Sequence, residues 1–205
     1  ISTGDREGLI RQRKLSHWYK KYMDLYQAID YGARFIKSLE EAELNIESMD
    51  DGLTKYTNYW YLLDQLYRKY IFHTKQSGQV SMLKALSDKV ENLYSNNYLL
   101  PVNNNWQNHI DQCDNWGKTN IEFQRHFFRR QVCPFLNDKK KMFVIISDAL
   151  RYEIGHELHS RIRQEDRFDA EITPMLSTLP SFTQLGMASL LPNKEILFSD
   201  DHSTT

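Results

Sequence analysis

The sequence predicts an α/β chain in two parts: a helical region over residues 1–138, then the start of a parallel sheet with flanking helices over residues 139–205. Three observations predict it. Apolar residues recur at helical spacing through most of the first 132 positions. That period then gives way to a continuous apolar run, Met142-Phe143-Val144-Ile145-Ile146-Ser147, whose length and β-branched content suit a strand buried on both faces. A helix-period segment and a second short apolar stretch follow. The order strand, helix, strand makes the two strands parallel, with a right-handed crossover.

The elements follow in order. Residues 5–45 read as one long helix, with Leu15, Trp18, Tyr22, Leu25, Ile29, Gly32, Ile36 and Leu39 on one face at alternating steps of three and four, like a short coiled-coil seam. A loop at 45–52 offers Ser48, Asp50 or Asp51 as the cap of a second helix over 53–76, which Gly78 ends. Tyr56, Tyr59, Trp60, Leu63, Leu66, Tyr67, Tyr70 and Ile71 form its stripe, read as core packing and not as a base-stacking surface, because the spacing is helical. The short connector makes the two helices antiparallel. A third helix spans 80–94, and Asn96-Asn97 and Pro101 break the pattern. Shorter helices are expected over 105–113 and 120–132, the latter ended by Pro134. After the strand at 142–147 comes a helix over 150–163 with Ile154, Leu158 and Ile162 inward, then a second strand over 168–173, stopped by Pro174.

Composition narrows the classes. A chain of 205 residues that is 40% hydrophobic supports a real core. Its first residue is Ile1 and its last are Ser203-Thr204-Thr205, which reads as a fragment of a longer protein. A net charge of −1 argues against a dominantly basic nucleic-acid binder. The clusters Arg11, Arg13, Lys14, Lys20, Lys21 and Arg125, Arg129, Arg130, Lys139–Lys141 read as surface solvation, with phosphate contacts as the minority reading. No apolar run approaches the roughly 20 residues that span a bilayer, so no membrane contact is expected and the location is read as cytoplasmic. Cys113 and Cys133 lack CxxC spacing and are read as reduced thiols.

The candidate chemistry lies in the second part. Asp148 follows the strand directly, at the edge where open α/β sheets bind ligands, and its carboxylate suits a divalent cation. The competing role for Asp148 is a helix cap. No GxxxxGK[ST] loop occurs in the chain, which weakens a nucleotide-hydrolase reading. Farther on, Ser181 and Gln184 fit a capping box that starts a helix at Ser181 and puts Thr183 in its first turn. Unpaired N–H groups and the helix dipole favour an anion there. A threonine hydroxyl is a poor nucleophile until a metal lowers its pKa. Gly186 inside that helix suggests close approach of another backbone.

Ile145-Ile146-Ser147-Asp148-Ala149-Leu150-Arg151-Tyr152-Glu153, taken with Leu179-Pro180-Ser181-Phe182-Thr183-Gln184-Leu185-Gly186-Met187-Ala188-Ser189-Leu190-Leu191-Pro192, resembles the PglZ domain. That family belongs to the alkaline phosphatase superfamily and occurs in BREX-type phage-defence systems. The resemblance implies an alkaline-phosphatase-like sheet, Asp148 as a ligand of a divalent metal (zinc), and Thr183 as nucleophile and ligand of the same ion. It implies a metal-dependent phosphoesterase, other defence-system proteins as partners, and a phosphodiester such as DNA as substrate, although no residue of this chain reads bases. Thr183 is favoured over Ser181 by its distance from the apolar pair Leu190-Leu191. Arg151 and Glu153 belong to the motif without an assigned step.

The superfamily completes a two-metal site with later Asp and His ligands, which this chain lacks. Asp200-Asp201-His202 resembles such a pair but follows the nucleophile helix too closely, and His156 and His159, spaced HxxH, are read as solvent-facing. The chain alone is therefore expected to be inactive. Two competing readings are a non-catalytic scaffold of a defence complex with a degenerate phosphatase fold, and a helical DNA-binding module. Metal content and hydrolysis of a generic phosphodiester by the full-length protein separate the first from an enzyme. Oxygens of Asp148 and Thr183 that share one zinc lie within roughly 4.4 Å of each other, and within about 7 Å in a relaxed empty site.

Overall fold

The computed structural model describes residues 3–113, 119–138 and 141–196, and the chain divides into two compact units, Ile1–Trp116 and Gly117–Thr205. The helical unit contains α1 (Thr3–Lys14), α2 (Tyr19–Glu40), α3 (Met49–Lys55), α4 (Tyr61–Ser77), α5 (Lys84–Asn92) and α6 (Leu100–Asp111). The second unit contains β1 (Glu122–Phe123), α7 (Cys133–Asn137), α8 (Tyr152–Ile162), β2 (Met175–Leu176) and α9 (Thr183–Leu190). The α/β class holds, and β1 and β2 pair in parallel, Glu122 opposite Met175 and Phe123 opposite Leu176.

The core of the helical unit is the α2–α4 pair. Leu63, Leu66 and Tyr70 of α4 are buried, as its stripe predicts, whereas the buried side chains of α2 are Ala28 and Phe35, each one position before the predicted Ile29 and Ile36, which are only partly buried. The contacts run in opposite directions along the two helices: Asp24 meets His73 at 2.8 Å, Gly32 faces Tyr70, and Phe35 lies against Tyr67. The pair is therefore antiparallel. A Cβ on Gly32 would sit 3.1 Å from two ring carbons of Tyr70, so the helices approach closely because this position carries no side chain. The Tyr67 and Tyr94 rings stack at 3.6 Å. Tyr56 and Tyr94 both donate to the Asp64 carboxylate, at 2.7 and 3.1 Å. Burial, and then the nearby Asp64, pushes the Tyr98 hydroxyl far above its ordinary pKa. The aromatic stripe is thus core, with Tyr59 its exposed exception.

Several helix limits differ from the sequence reading. The first helix is two, α1 and α2, with a break at 15–18, because Leu15 is 89% and Trp18 57% exposed and the seam buries nothing at its start. The second runs from Met49 to Ser77 through a π-helical turn, Tyr56–Trp60. Its cap is Ser48, whose Oγ accepts the Asp51 N–H at 3.1 Å, and Gly78 ends it at φ 64°. Asn96-Asn97 and Pro101 do not interrupt the next helix. A π-helical segment, Leu93–Leu99, joins α5 to α6 and leaves Pro101 in the first turn of α6, where a missing N–H costs little.

In the second unit the helix expected at 120–132 is replaced by β1, a 3-10 turn (Gln124–His126) and a π turn (Phe128–Val132). Pro134 opens α7 and does not end a helix. The run 142–147 forms no strand among the described residues, and Phe143 and Ile145 are 89% and 93% exposed. Buried strands need neighbours on both sides, and the described residues supply none here. Residues 168–173 form no strand either; pairing begins only past Pro174, in β2. The parallel pair therefore joins β1 to β2, with α8 in the stretch between them. Because β1 pairs with β2 and Gln124 bonds to Gly186, residues from 119 onward pack with the second unit, so the compact boundary precedes the change of composition near residue 138. No described helix is long and apolar enough to cross a membrane.

Candidate functional site

A cleft of about 470 Å³ opens at the carboxyl ends of the two strands. Gln124, directly after β1, and Ser177 and Thr178, directly after β2, line it, together with Asp148, Arg151 and Thr183. This is the edge where parallel sheets place ligands.

Asp148 follows the apolar run 142–147, and Ala149 turns the chain sharply at φ 52°. The left-handed region costs a residue with a Cβ about 1–2 kcal/mol, so the Asp148 turn is held against local preference. Arg151 then stands at the N-cap of α8 in extended conformation (φ −70°, ψ 155°), and its carbonyl accepts the N–H groups of Ile154 and Gly155 at 3.1 and 3.0 Å. Its backbone is fixed by these bonds, and the residue lines the cleft. Glu153, the second residue of α8, is 2% exposed.

Thr183 is the first residue of α9. The cap position falls on Phe182, extended at φ −140° and ψ 158° and without a side-chain cap bond, so Ser181 does not cap this helix. The helix begins one position too late for the S-x-x-Q box to close. Among the described residues no side chain caps the first-turn N–H groups, a state that suits an anion. Leu185 and Ser189 anchor the buried face, the Ser189 hydroxyl donating to the Gly186 carbonyl at 2.8 Å. No backbone crowds Gly186, since the nearest atom to a Cβ there is the Gln124 side-chain nitrogen at 3.8 Å.

The two residues singled out from sequence meet. Thr183 Oγ1 donates to Asp148 Oδ1 at 3.5 Å, a long hydrogen bond within the roughly 4.4 Å that two oxygens on one zinc can span. Both residues are exposed to the cleft. Two ligand positions of one ion are thus compatible with the chain. Among the described residues no group of three His, Cys, Asp or Glu side chains converges on a further site. His156 and His159 are half-buried and not solvent-facing, and His159 Nε2 bonds the Ala170 carbonyl at 3.0 Å. Asp200-Asp201-His202 lies outside the described residues. Gln124, Ser177 and Thr178 were not legible as cleft residues, because nothing in their local sequence marks the end of a two-residue strand.

The basic residues near β1 are engaged structurally. Arg130 pairs with Glu122 at 3.0 Å and Arg125 lies over the Phe123 ring at 4.8 Å. The His126 hydrogen bond, aided by Arg130, holds the Glu122 carboxyl below its usual range.

Residues 127–205 match the family model described as the BREX system PglZ alkaline phosphatase-like domain. Residues 127–205 belong to the PglZ family. Two curated PglZ relatives extend the similarity across nearly the whole chain. The alkaline phosphatase-like protein PglZ of Bacillus cereus (strain H3081.97) is 35% identical over 197 residues, covering 94% of this chain and 23% of the relative. The alkaline phosphatase-like protein BrxZ of Escherichia coli O9:H4 (strain HS) is 36% identical over 215 residues, covering 96% of this chain and 24% of the relative. The chain therefore spans about a quarter of the length of these relatives. No solved structure matches it. Asp148, Arg151 and Thr183 all fall inside the PglZ match.

Proposed function

We propose that this chain contributes the nucleophile and one metal ligand of a phosphoesterase that acts in phage defence. The observation that carries the reading is the 3.5 Å approach of Thr183 Oγ1 to Asp148 Oδ1 in a cleft at the carboxyl ends of a parallel pair. Asp148 and Thr183 would hold a divalent cation, zinc by the family resemblance. Such an ion lowers the pKa of a bound hydroxyl and offsets negative charge developing on a phosphoryl group.

The chain's own residues do the rest. Thr183 oxygen bonds to phosphorus as the bond to the leaving alcohol breaks; the threonine proton passes to solvent, and the alcohol leaves protonated by water. Water then displaces the threonine oxygen from phosphorus, which frees the phosphate product and restores the hydroxyl. The uncapped N–H groups of the α9 first turn face the oxyanions. A phosphodiester, including one in DNA, is the substrate class this reading favours, and the partners are other components of a BREX system, in the cytoplasm.

The test uses the full-length protein with a generic phosphodiester and zinc. Thr183→Ala is expected to remove hydrolysis with the fold intact, and Asp148→Ala to lower both metal content and turnover. Full activity in both variants would favour a non-catalytic scaffold, with the α/β unit a degenerate phosphatase fold.

A further inference from the structure

Four hydrogen-bond donors on the cleft wall have no partner among the described residues: the Arg151 guanidinium and the hydroxyls of Ser177, Thr178 and Ser181. Arg6 pairs with Asp30 at 3.1 Å, Arg130 with Glu122 at 3.0 Å and Arg161 with Glu157 at 2.8 Å, whereas Arg151, like Arg163 and Arg167, pairs with no described carboxylate. What sets Arg151 apart is its place, at the start of α8 three residues after Asp148 and in the lining of the same cleft.

A planar guanidinium presents paired N–H groups that match two oxygens of a phosphate. Asp148 and Thr183 supply acceptor oxygens and a nucleophile, but little to bind the phosphoryl oxygens that stay on phosphorus. From the shared cleft and the free donors we propose that Arg151 binds the non-bridging oxygens of the phosphoryl group, with the Ser177 and Thr178 hydroxyls as auxiliary donors. The inference rests on the phosphoesterase reading for its place in the reaction, but phosphate binding by itself does not depend on turnover.

The experiment measures binding of inorganic phosphate to the zinc-loaded full-length protein by titration calorimetry, alongside diesterase kinetics, metal content and thermal melting. Arg151→Gln is expected to weaken phosphate about 10- to 100-fold, or about 1.4–2.8 kcal/mol, with metal content unchanged. Arg151→Lys should recover part of that loss, and Ser177→Ala should cost less than Arg151→Gln. In the kinetics, kcat/KM should fall at least as far as phosphate affinity. Unchanged phosphate affinity in Arg151→Gln, with a lowered melting temperature, would make Arg151 a structural residue and overturn the assignment. Absence of phosphate binding by the parent protein would overturn it as well. If phosphate binding depends on Arg151 while Thr183→Ala leaves hydrolysis intact, the nucleophile assignment fails and the anion site stands.

Discussion

At the scale of single residues, two turns illustrate how local chemistry sets position. Asp148 is aimed into the cleft because the next residue, Ala149, takes a left-handed conformation at φ 52°, which an isolated chain disfavours. Sparsely populated backbone conformations gather at functional sites, where the surrounding structure holds them. The other turn is Ser48 to Asp51, where the serine hydroxyl accepts the Asp51 N–H and the Asp51 carboxylate accepts the Glu47 N–H at 2.9 Å. That backbone bond, then Lys55 at 2.9 Å, keeps the Asp51 carboxyl below its ordinary pKa. A depressed folded-state pKa contributes stability above the unfolded value, about 3.9, and that contribution is lost as pH falls through the folded value. Melting temperature is therefore expected to drop below about pH 4 more steeply in the parent chain than in Asp51→Asn. Parallel acid profiles for the two would show that the bond network does not act through Asp51.

At the scale of elements, two of the helical glycines have opposite meanings. Gly32 of α2 faces the buried Tyr70 ring, whose hydroxyl is tied to Ser87 at 2.7 Å, so the ring has little room to yield. Gly186 of α9 meets nothing nearer than 3.8 Å. Overpacking costs about 1–3 kcal/mol against a helix-propensity gain near 1 kcal/mol. Gly32→Ala is thus expected to lose about 1 kcal/mol net, and Gly186→Ala to be neutral or up to about 1 kcal/mol more stable. Urea melts of both variants check the pair, and a stabilising Gly32→Ala would contradict the close α2–α4 approach. The same element-scale view explains why Pro101 and Asn96-Asn97 fail as helix breakers. π-helical turns absorb a residue and re-register the ladder, so the apolar face stays on the core.

For the molecule as a whole, the chain alone is expected to show no metal-dependent phosphoesterase turnover. One carboxylate and one hydroxyl are a weak metal site, and the described residues gather no third ligand. Turnover by the purified 205-residue chain, abolished by Thr183→Ala, would contradict this.

The sequence by itself determined the α/β class, the α4 face and the Gly78 stop, offered Ser48 among three possible caps, and marked Asp148 and Thr183 as candidates, because periodicity, capping chemistry and a local motif act over a few neighbouring positions. Tertiary structure decided what depends on distant partners. Whether 142–147 joins a ladder, which short segments pair as β1 and β2, and that Gln124, Ser177 and Thr178 reach the cleft are all set by residues far along the chain. Strand pairing satisfies backbone groups between segments and not within one, so no window of sequence contains it. The meeting of Asp148 with Thr183 belongs to the same class. Each residue was legible where it stands, but their 3.5 Å separation comes from how the two segments pack.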